Sequence, residues 1–263
     1  MEETIKIASW NIAAGRTNKS LSQFDYDQEN ISYFSNLLKT VEADIICLQE
    51  THYGENKDIG KEIANELAYP FYYTNPGHES HIDNKLKLSN SILAKTKPLS
   101  IEAYILPYPE FELYWPNGNP AKRYEKSLLC AKFKGFNVYN TQLIPLGLFG
   151  VLYGDEKAKI YSQNLEVSFK NVLEAPLLIC GDFSGDFPDD KPQLVFSELF
   201  TSLSLMDSIP HQITRPKNDG LIHQTDHIYF SDQSFSCISS EVIPTQSDHY
   251  LCTATFKFKS KNK

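Results

Sequence analysis

Residues 177–186, LLICGDFSGD, constrain this chain most. A nearly unbroken apolar run stops abruptly at the carboxylate of Asp182. Ala175-Pro176 precedes it, and proline suits the first residue of a strand. Its short length and bounding signals favour a buried strand over a helix. Asp182 therefore falls where a buried strand gives way to a glycine-containing loop. One Gly-Asp after a strand is more often a turn than a site, but other apolar runs are bounded the same way. IKIASWN ends at Asn11, DIICLQE at Glu50 and NVYNTQ at Gln142, while Asp226 opens TDHIYFS and Asp248-His249 opens SDHYLCTATFKF. Several strands that each bring a hard oxygen ligand or polar group to a common rim suggest a divalent-metal hydrolytic site.

The remaining pattern predicts alternating strands and helices. Helical spacing covers 27–41 (Ile31, Phe34, Leu37, Leu38, Val41), 57–67 and 155–172, with a short helix over 193–200. Strands are expected over 5–11, 44–50, 71–74, 91–94, 127–133, 136–142, 226–231, 235–242 and 249–258. Lys134-Gly135 marks a hairpin between two of them. Residues 98–123 hold several prolines and five aromatics, and read partly as loop with the aromatics packed beneath it; base or ligand stacking is the alternative. Residues 144–153 (IPLGLFGVLY) read as core or loop packing and, if exposed, as an apolar wall beside the site. Residues 260–263 form a basic tail expected to fray.

Composition narrows the function. The 263 residues suffice for a sizeable core, and without repeats or a composition shift they read as one domain over 1–263. The 15 Tyr and 16 Phe suit β-rich packing. No apolar stretch reaches membrane-spanning length, so no transmembrane segment is expected. The start MEETIKIASWN lacks the basic region of a signal peptide. Five cysteines without metal spacing read as buried free thiols in a reducing cytoplasm. A net charge of −8 with three arginines argues against tight, nonspecific binding to long duplex DNA.

Taken in order and at their spacing, SWN, LQE, NTQL, GDFS, TDHIYFS and SDH resemble the endonuclease/exonuclease/phosphatase superfamily, with its deoxyribonuclease I-like fold. The resemblance runs from Trp10 to His249. It implies an α/β four-layer sandwich: two mixed β-sheets packed face to face with helices outside. It also implies a phosphoric ester hydrolase dependent on Mg2+ or Mn2+. In that pattern Glu50 is the principal metal ligand, Asn11 assists it and Asp248 lies by the metal. Asp182 orients or deprotonates the attacking water, and His249 contacts the scissile phosphate with Asp226 fixing its ring. Adjacent strand residues point to opposite faces, so Asp248 is not expected to orient His249.

The chain departs from the family pattern twice. Gln142 stands where histidine is usual and Ser184 where asparagine is usual. Gln142 retains a hydrogen-bond donor for a phosphate oxygen but no charge, and Ser184 offers one shorter donor that would reach through a water. A phosphodiester, nucleic acid included, is the expected substrate. A phosphatase for a small or lipid phosphate ester and a catalytically silent nucleic-acid- or partner-binding protein are the alternatives. Oligomeric state is not legible.

Overall fold

The computed structural model describes residues 4–20, 25–185, 192–217 and 223–259. Asp186 and the basic 260–263 tail lie outside them. The first half runs β1 (Thr4–Asn11), β2 (Arg16–Asn18), β3 (Tyr26–Glu29), α1 (Ile31–Val41), β4 (Ile45–Gly54), β5 (Lys57–Asp58), α2 (Ile59–Glu66), β6 (Phe71–Glu79), β7 (Lys87–Ala94) and β8 (Ser100–Ile105). The second half runs β9 (Ser127–Phe133), β10 (Phe136–Gln142), α3 (Lys159–Val172), β11 (Leu177–Asp182), α4 (Pro192–Val195), α5 (Ser197–Ser202), β12 (Leu205–Asp207), β13 (Asp226–Ser231), β14 (Phe235–Ile243) and β15 (Leu251–Phe258).

Two mixed sheets result. One has the order β14-β15-β1-β4-β7-β6, the other β12-β13-β11-β10-β9-β8. Each is antiparallel except at its centre, where β1 lies parallel to β4 and β10 parallel to β11. Strand alternation explains the layers. Ile5, Ile7, Ile45 and Cys47 meet Val138, Leu178 and Cys180 between the sheets. Ala8, Trp10, Ile46 and Leu48 turn outward onto Phe34 and Leu38 of α1 and Ile59 and Ile63 of α2. Tyr139, Leu177 and Ile179 do the same against Leu165 and Phe169 of α3. Buried on both faces, these strands read as continuous apolar runs. The four-layer α/β sandwich is the architecture expected from the sequence.

Several boundaries differ. Helix α1 starts at Ile31 rather than 27, because Asn30 caps it through Tyr33 N (3.1 Å) and Tyr26–Glu29 pairs instead with Arg16–Asn18. The helix over 193–200 is broken at Phe196, whose backbone is non-helical. Part of the 98–123 segment is strand β8. His249 lies in a bend, two residues before β15 begins. All five cysteines are free. Among the described residues no helix is long and apolar enough to cross a membrane.

Polar contacts tie the two sheets together, and the most deeply buried centre on Asn140. On β10, Asn140 donates to the carbonyls of Leu48 (2.9 Å) and Ser91 (2.8 Å) and accepts from Gln49 Nε2 (2.7 Å). There the β4–β7 ladder slips: Leu48 faces Ser91 but Thr51 faces Ser89, so Gln49 and Glu50 form a bulge. Asn140→Ala would strip a partner from three buried groups, each worth about 1–3 kcal/mol when unsatisfied. Urea denaturation should show a loss of about 3 kcal/mol; an unchanged midpoint would discount this contact.

Candidate active site

The polar strand ends gather at one rim of the sandwich. Parallel pairing sets Asn11 beside Gln49 and Gln142 beside Asp182, while antiparallel pairing sets Asp182 beside Asp226. Gly181 allows the tight approach of β10 and β11, since a Cβ there would fall 1.9 Å from Thr141 O. Glu50 takes a left-handed φ of 56° within the bulge, which swings its carboxylate out of strand alternation and into the pocket. Trp10 Nε1 (3.0 Å) and Thr245 Oγ1 (2.7 Å) both donate to the His249 carbonyl and fix its bend.

The His249 ring donates from Nδ1 to Asp226 Oδ2 (2.7 Å), and its Nε2 lies 4.0 Å from Asp182 Oδ2. Asp226 is held in turn by Thr225 Oγ1 (2.8 Å), and Thr214 Oγ1 accepts from the backbone N–H groups of Thr225 and Asp226. Asp248 is not a strand neighbour of His249 as expected. Both line the pocket from the bend, and Asp248 accepts from the Tyr26 hydroxyl (3.3 Å).

Amides knit the carboxylates together. Asn11 Nδ2 donates to Glu50 Oε1 and Asp182 Oδ2 (3.1 Å each). Asn11 Oδ1 accepts from Ala13 N (3.1 Å), so the expected oxygen ligand presents its nitrogen edge to the site. Gln142 Nε2 donates to Glu50 Oε1 (2.6 Å) and lies 3.3 Å from Asp182 Oδ2. Ser184, at φ 57°, lines the pocket, and its one hydroxyl hydrogen has two acceptors within reach, Asp182 Oδ1 (3.1 Å) and Leu143 O (3.3 Å).

These contacts set the charges. Burial disfavours ionised Glu50, but His81, Lys126 and the Gln142 and Asn11 amides outweigh it and hold the carboxyl at about 2. Burial raises Asp182; His249 and Arg215 oppose that, while Asp226 and Glu50 reinforce it. Burial alone would lower His249, yet the paired Asp226 carboxylate, with Asp182 and Asp248, raises it to about 10. The site thus joins an imidazolium, an ionised glutamate and a carboxylate shifted toward neutrality, a division that suits acid–base chemistry.

Sequence reasoning did not single out Lys126, Tyr26, His81 or Arg215, which also line the pocket. Lys126 borders the apolar run 127–133 but belongs to none of the quoted motifs, and Tyr26, His81 and Arg215 lie away from such runs. The two uncertain segments meet here. Ile144, Leu146, Val151 and Tyr153 are core. Leu148 and Phe149 wall the pocket together with Trp115 and Tyr124, and Phe149 packs on Trp115 at 5.1 Å between centroids.

The donor set suits a hard divalent cation. Among the described residues no three His, Cys, Asp or Glu side chains are grouped to hold a metal ion alone. Glu50 and Asp248, both facing the pocket, offer carboxylate oxygens without thiols. A hexacoordinate ion such as Mg2+ is usually held that way, by one or two carboxylates, waters and substrate oxygens.

The sequence pattern of the Endonuclease/Exonuclease/phosphatase family matches residues 8–249. Comparison with curated proteins gives no match. Among solved structures, an endonuclease/exonuclease/phosphatase from Beutenbergia cavernae is similar with a TM-score of 0.71 and 14% identity, covering 97% of this chain and 72% of that one. The human Nocturnin catalytic domain, with bound sulfate, gives 0.64 and 19% over 97% of this chain and 94% of that one. ANGEL2, a 2',3'-cyclic phosphatase in complex with adenosine-2',3'-vanadate, gives 0.59 and 13% over 98% and 96%. At these identities the likeness is one of fold. The family match over nearly the whole chain settles membership: this chain belongs to the endonuclease/exonuclease/phosphatase family, whose members are phosphoester hydrolases, generally metal-dependent.

Proposed function

We propose that this chain is a Mg2+- or Mn2+-dependent phosphodiesterase of the nuclease type, hydrolysing a phosphodiester by attack of water. The observation that carries the reading is the Asp226–His249 pair, closed at 2.7 Å, facing Asp182 across 4.0 Å. Asp182, shifted toward neutrality, accepts the proton of the attacking water. His249, charged through Asp226, binds a phosphoryl oxygen from Nε2 as negative charge builds. Gln142, whose amide nitrogen faces Glu50 and Asp182 before substrate enters, turns one N–H from Asp182 to the same phosphoryl group when the ester binds. Glu50 and Asp248 hold the cation, with Asn11 fixing the Glu50 carboxylate. The cation, when bound, supplies charge neutralisation on the phosphoryl and leaving oxygens. The aromatic and apolar wall of Trp115, Tyr124, Leu148 and Phe149 favours an ester carrying a flat or apolar group. With the net charge of −8, it supports a short or small ester, a phosphatase substrate included, over long duplex DNA. The five free thiols support a reducing, cytoplasmic setting.

A panel of single-stranded DNA and RNA, abasic and 5′-tyrosyl DNA, sphingomyelin, inositol phosphates and bis(p-nitrophenyl) phosphate tests the reading. Activity should vanish in EDTA and return with Mg2+ or Mn2+; full turnover in a rigorously metal-free preparation would sink the mechanism. Glu50→Gln should shift the metal requirement upward, with partial rescue at high metal.

Asp182→Asn and His249→Ala should each lower kcat about 10²–10⁴-fold, since both act on protons or charge that develop in the transition state. An unchanged rate for His249→Ala would remove the central assignment.

The pH profile follows from the shifts. His249 is raised, so its charge is present at neutral pH and is lost only as pH climbs through about 10. Asp182 is raised from its ordinary range, so its base form is lost on acidification earlier than for an exposed aspartate. The rate against pH should hold from neutrality to about 9 and then fall. An alkaline limb near the ordinary histidine value of about 6.5 would contradict the pairing.

A further inference from the structure

Gln142 has a charged partner that lies outside the short motifs, Lys126. Lys126, at the end of the segment that leads into β9, is only 8% exposed. Its Nζ donates to Gln142 Oε1 at 2.6 Å. Among the described residues it forms no ion pair within 4.0 Å, although Glu50 and Asp182 stabilise its charge from farther away. Burying an ammonium without a close counter-ion is costly, and an apolar side chain of similar size would serve packing as well or better. Burial draws this ammonium down to about 8, and the two carboxylates limit the fall, so it remains charged at neutral pH.

The amide between them has one possible orientation. A carboxylate only accepts hydrogen bonds and an ammonium only donates them. Gln142 must therefore turn Oε1 to Lys126 and Nε2 to the Glu50 and Asp182 carboxylates, as observed. A cation bound to the carbonyl end of an amide draws electron density from its N–H end and strengthens those donors.

We infer that Lys126 is a positioning residue for phosphoryl binding, which locks the N–H edge of Gln142 toward the pocket and conveys its positive charge through that amide. A neutral glutamine and a buried lysine then together replace the imidazole usual at this position. The inference rests on the reading of the pocket as a phosphoryl site, and not on which ester is hydrolysed.

The test is a double-mutant cycle read in two ways: calorimetric affinity for inorganic phosphate with Mg2+, and kcat and KM on bis(p-nitrophenyl) phosphate. Lys126→Met should weaken phosphate binding and lower kcat, each by about tenfold or more, with KM for the ester within about twofold. In a Gln142→Met background the same change should cost at least about threefold less, because the path through the amide is gone and only the direct effect of the Lys126 charge on Glu50 and Asp182 is left. Lys126→Gln keeps a donor to Oε1 without charge and should fall between Met and wild type, and Lys126→Arg should stay near wild type. If Lys126→Met does not fold, as judged by circular dichroism melting, the Gln and Arg variants carry the comparison. Equal losses in both backgrounds, or a Gln variant indistinguishable from wild type, would overturn the relay. Failure of the wild type to bind phosphate would overturn it too. Phosphate binding with the expected coupling but no hydrolysis of any diester would uphold the relay and dismiss the phosphodiesterase reading.

Discussion

The site depends on the carboxamide of Asn140. It lies in the interior, on the central strand of one sheet, and reaches the carbonyls of Leu48 and Ser91 on the other. Those carbonyls flank the place where β4 takes an extra residue. Without a donor from the facing sheet, the slipped ladder would bury unpaired carbonyls, and a regular register would be the cheaper structure. With it the bulge persists, and the bulge turns Glu50 toward the pocket. A pocket-facing carboxylate on one sheet is thus held by a hydrogen bond from the other. Backbone strain at Glu50, a non-glycine residue at φ 56°, is tolerated because its surroundings leave it no alternative.

Electrostatic balance is the second constraint. Glu50, Asp182, Asp226 and Asp248 converge in a low-dielectric rim, where like charges would raise one another and empty the site of anions. The fold counters this with directed dipoles as well as cations. Asn11 and Gln142 both point N–H edges at Glu50 and Asp182, while His249 and Lys126 add full charges at two sides. The result is asymmetric. Glu50 is held ionised, Asp182 is pushed toward neutrality, and His249 stays charged. Chemically similar carboxylates acquire different properties from their neighbours alone.

Much of this was legible in the chain. Strands buried on both faces announce themselves as apolar runs, and their polar ends located Asn11, Glu50, Gln142, Asp182 and Asp226 at one rim. Partnership across strands was legible for His249 only through the family pattern. The strand-alternation argument behind it fails, since His249 sits in a bend. What stayed hidden is what tertiary contact creates. Asn140 opens the NTQL motif, yet its reach to the Leu48 and Ser91 carbonyls becomes visible only when the second sheet is laid on it. Lys126 looks like a surface lysine of a charged loop, and only its burial reveals otherwise. The amide orientation of Asn11 depends on Ala13 N, a backbone group that no side-chain pattern encodes. Residues 98–123 and 144–153 were ambiguous separately because their aromatics find each other, Trp115 on Phe149.

The two tryptophans carry one more consequence. Trp10 is wholly buried, its indole tied to the His249 backbone, whereas Trp115 sits at the pocket wall. The molecule therefore contains two tryptophan fluorophores in separate roles, both selectable by excitation beyond the tyrosine band. Emission from Trp10 reports the integrity of the bend that carries the histidine. Emission from Trp115 reports whatever comes to rest against the wall. A ligand that perturbs the second while leaving the first unchanged announces itself optically, without label or turnover.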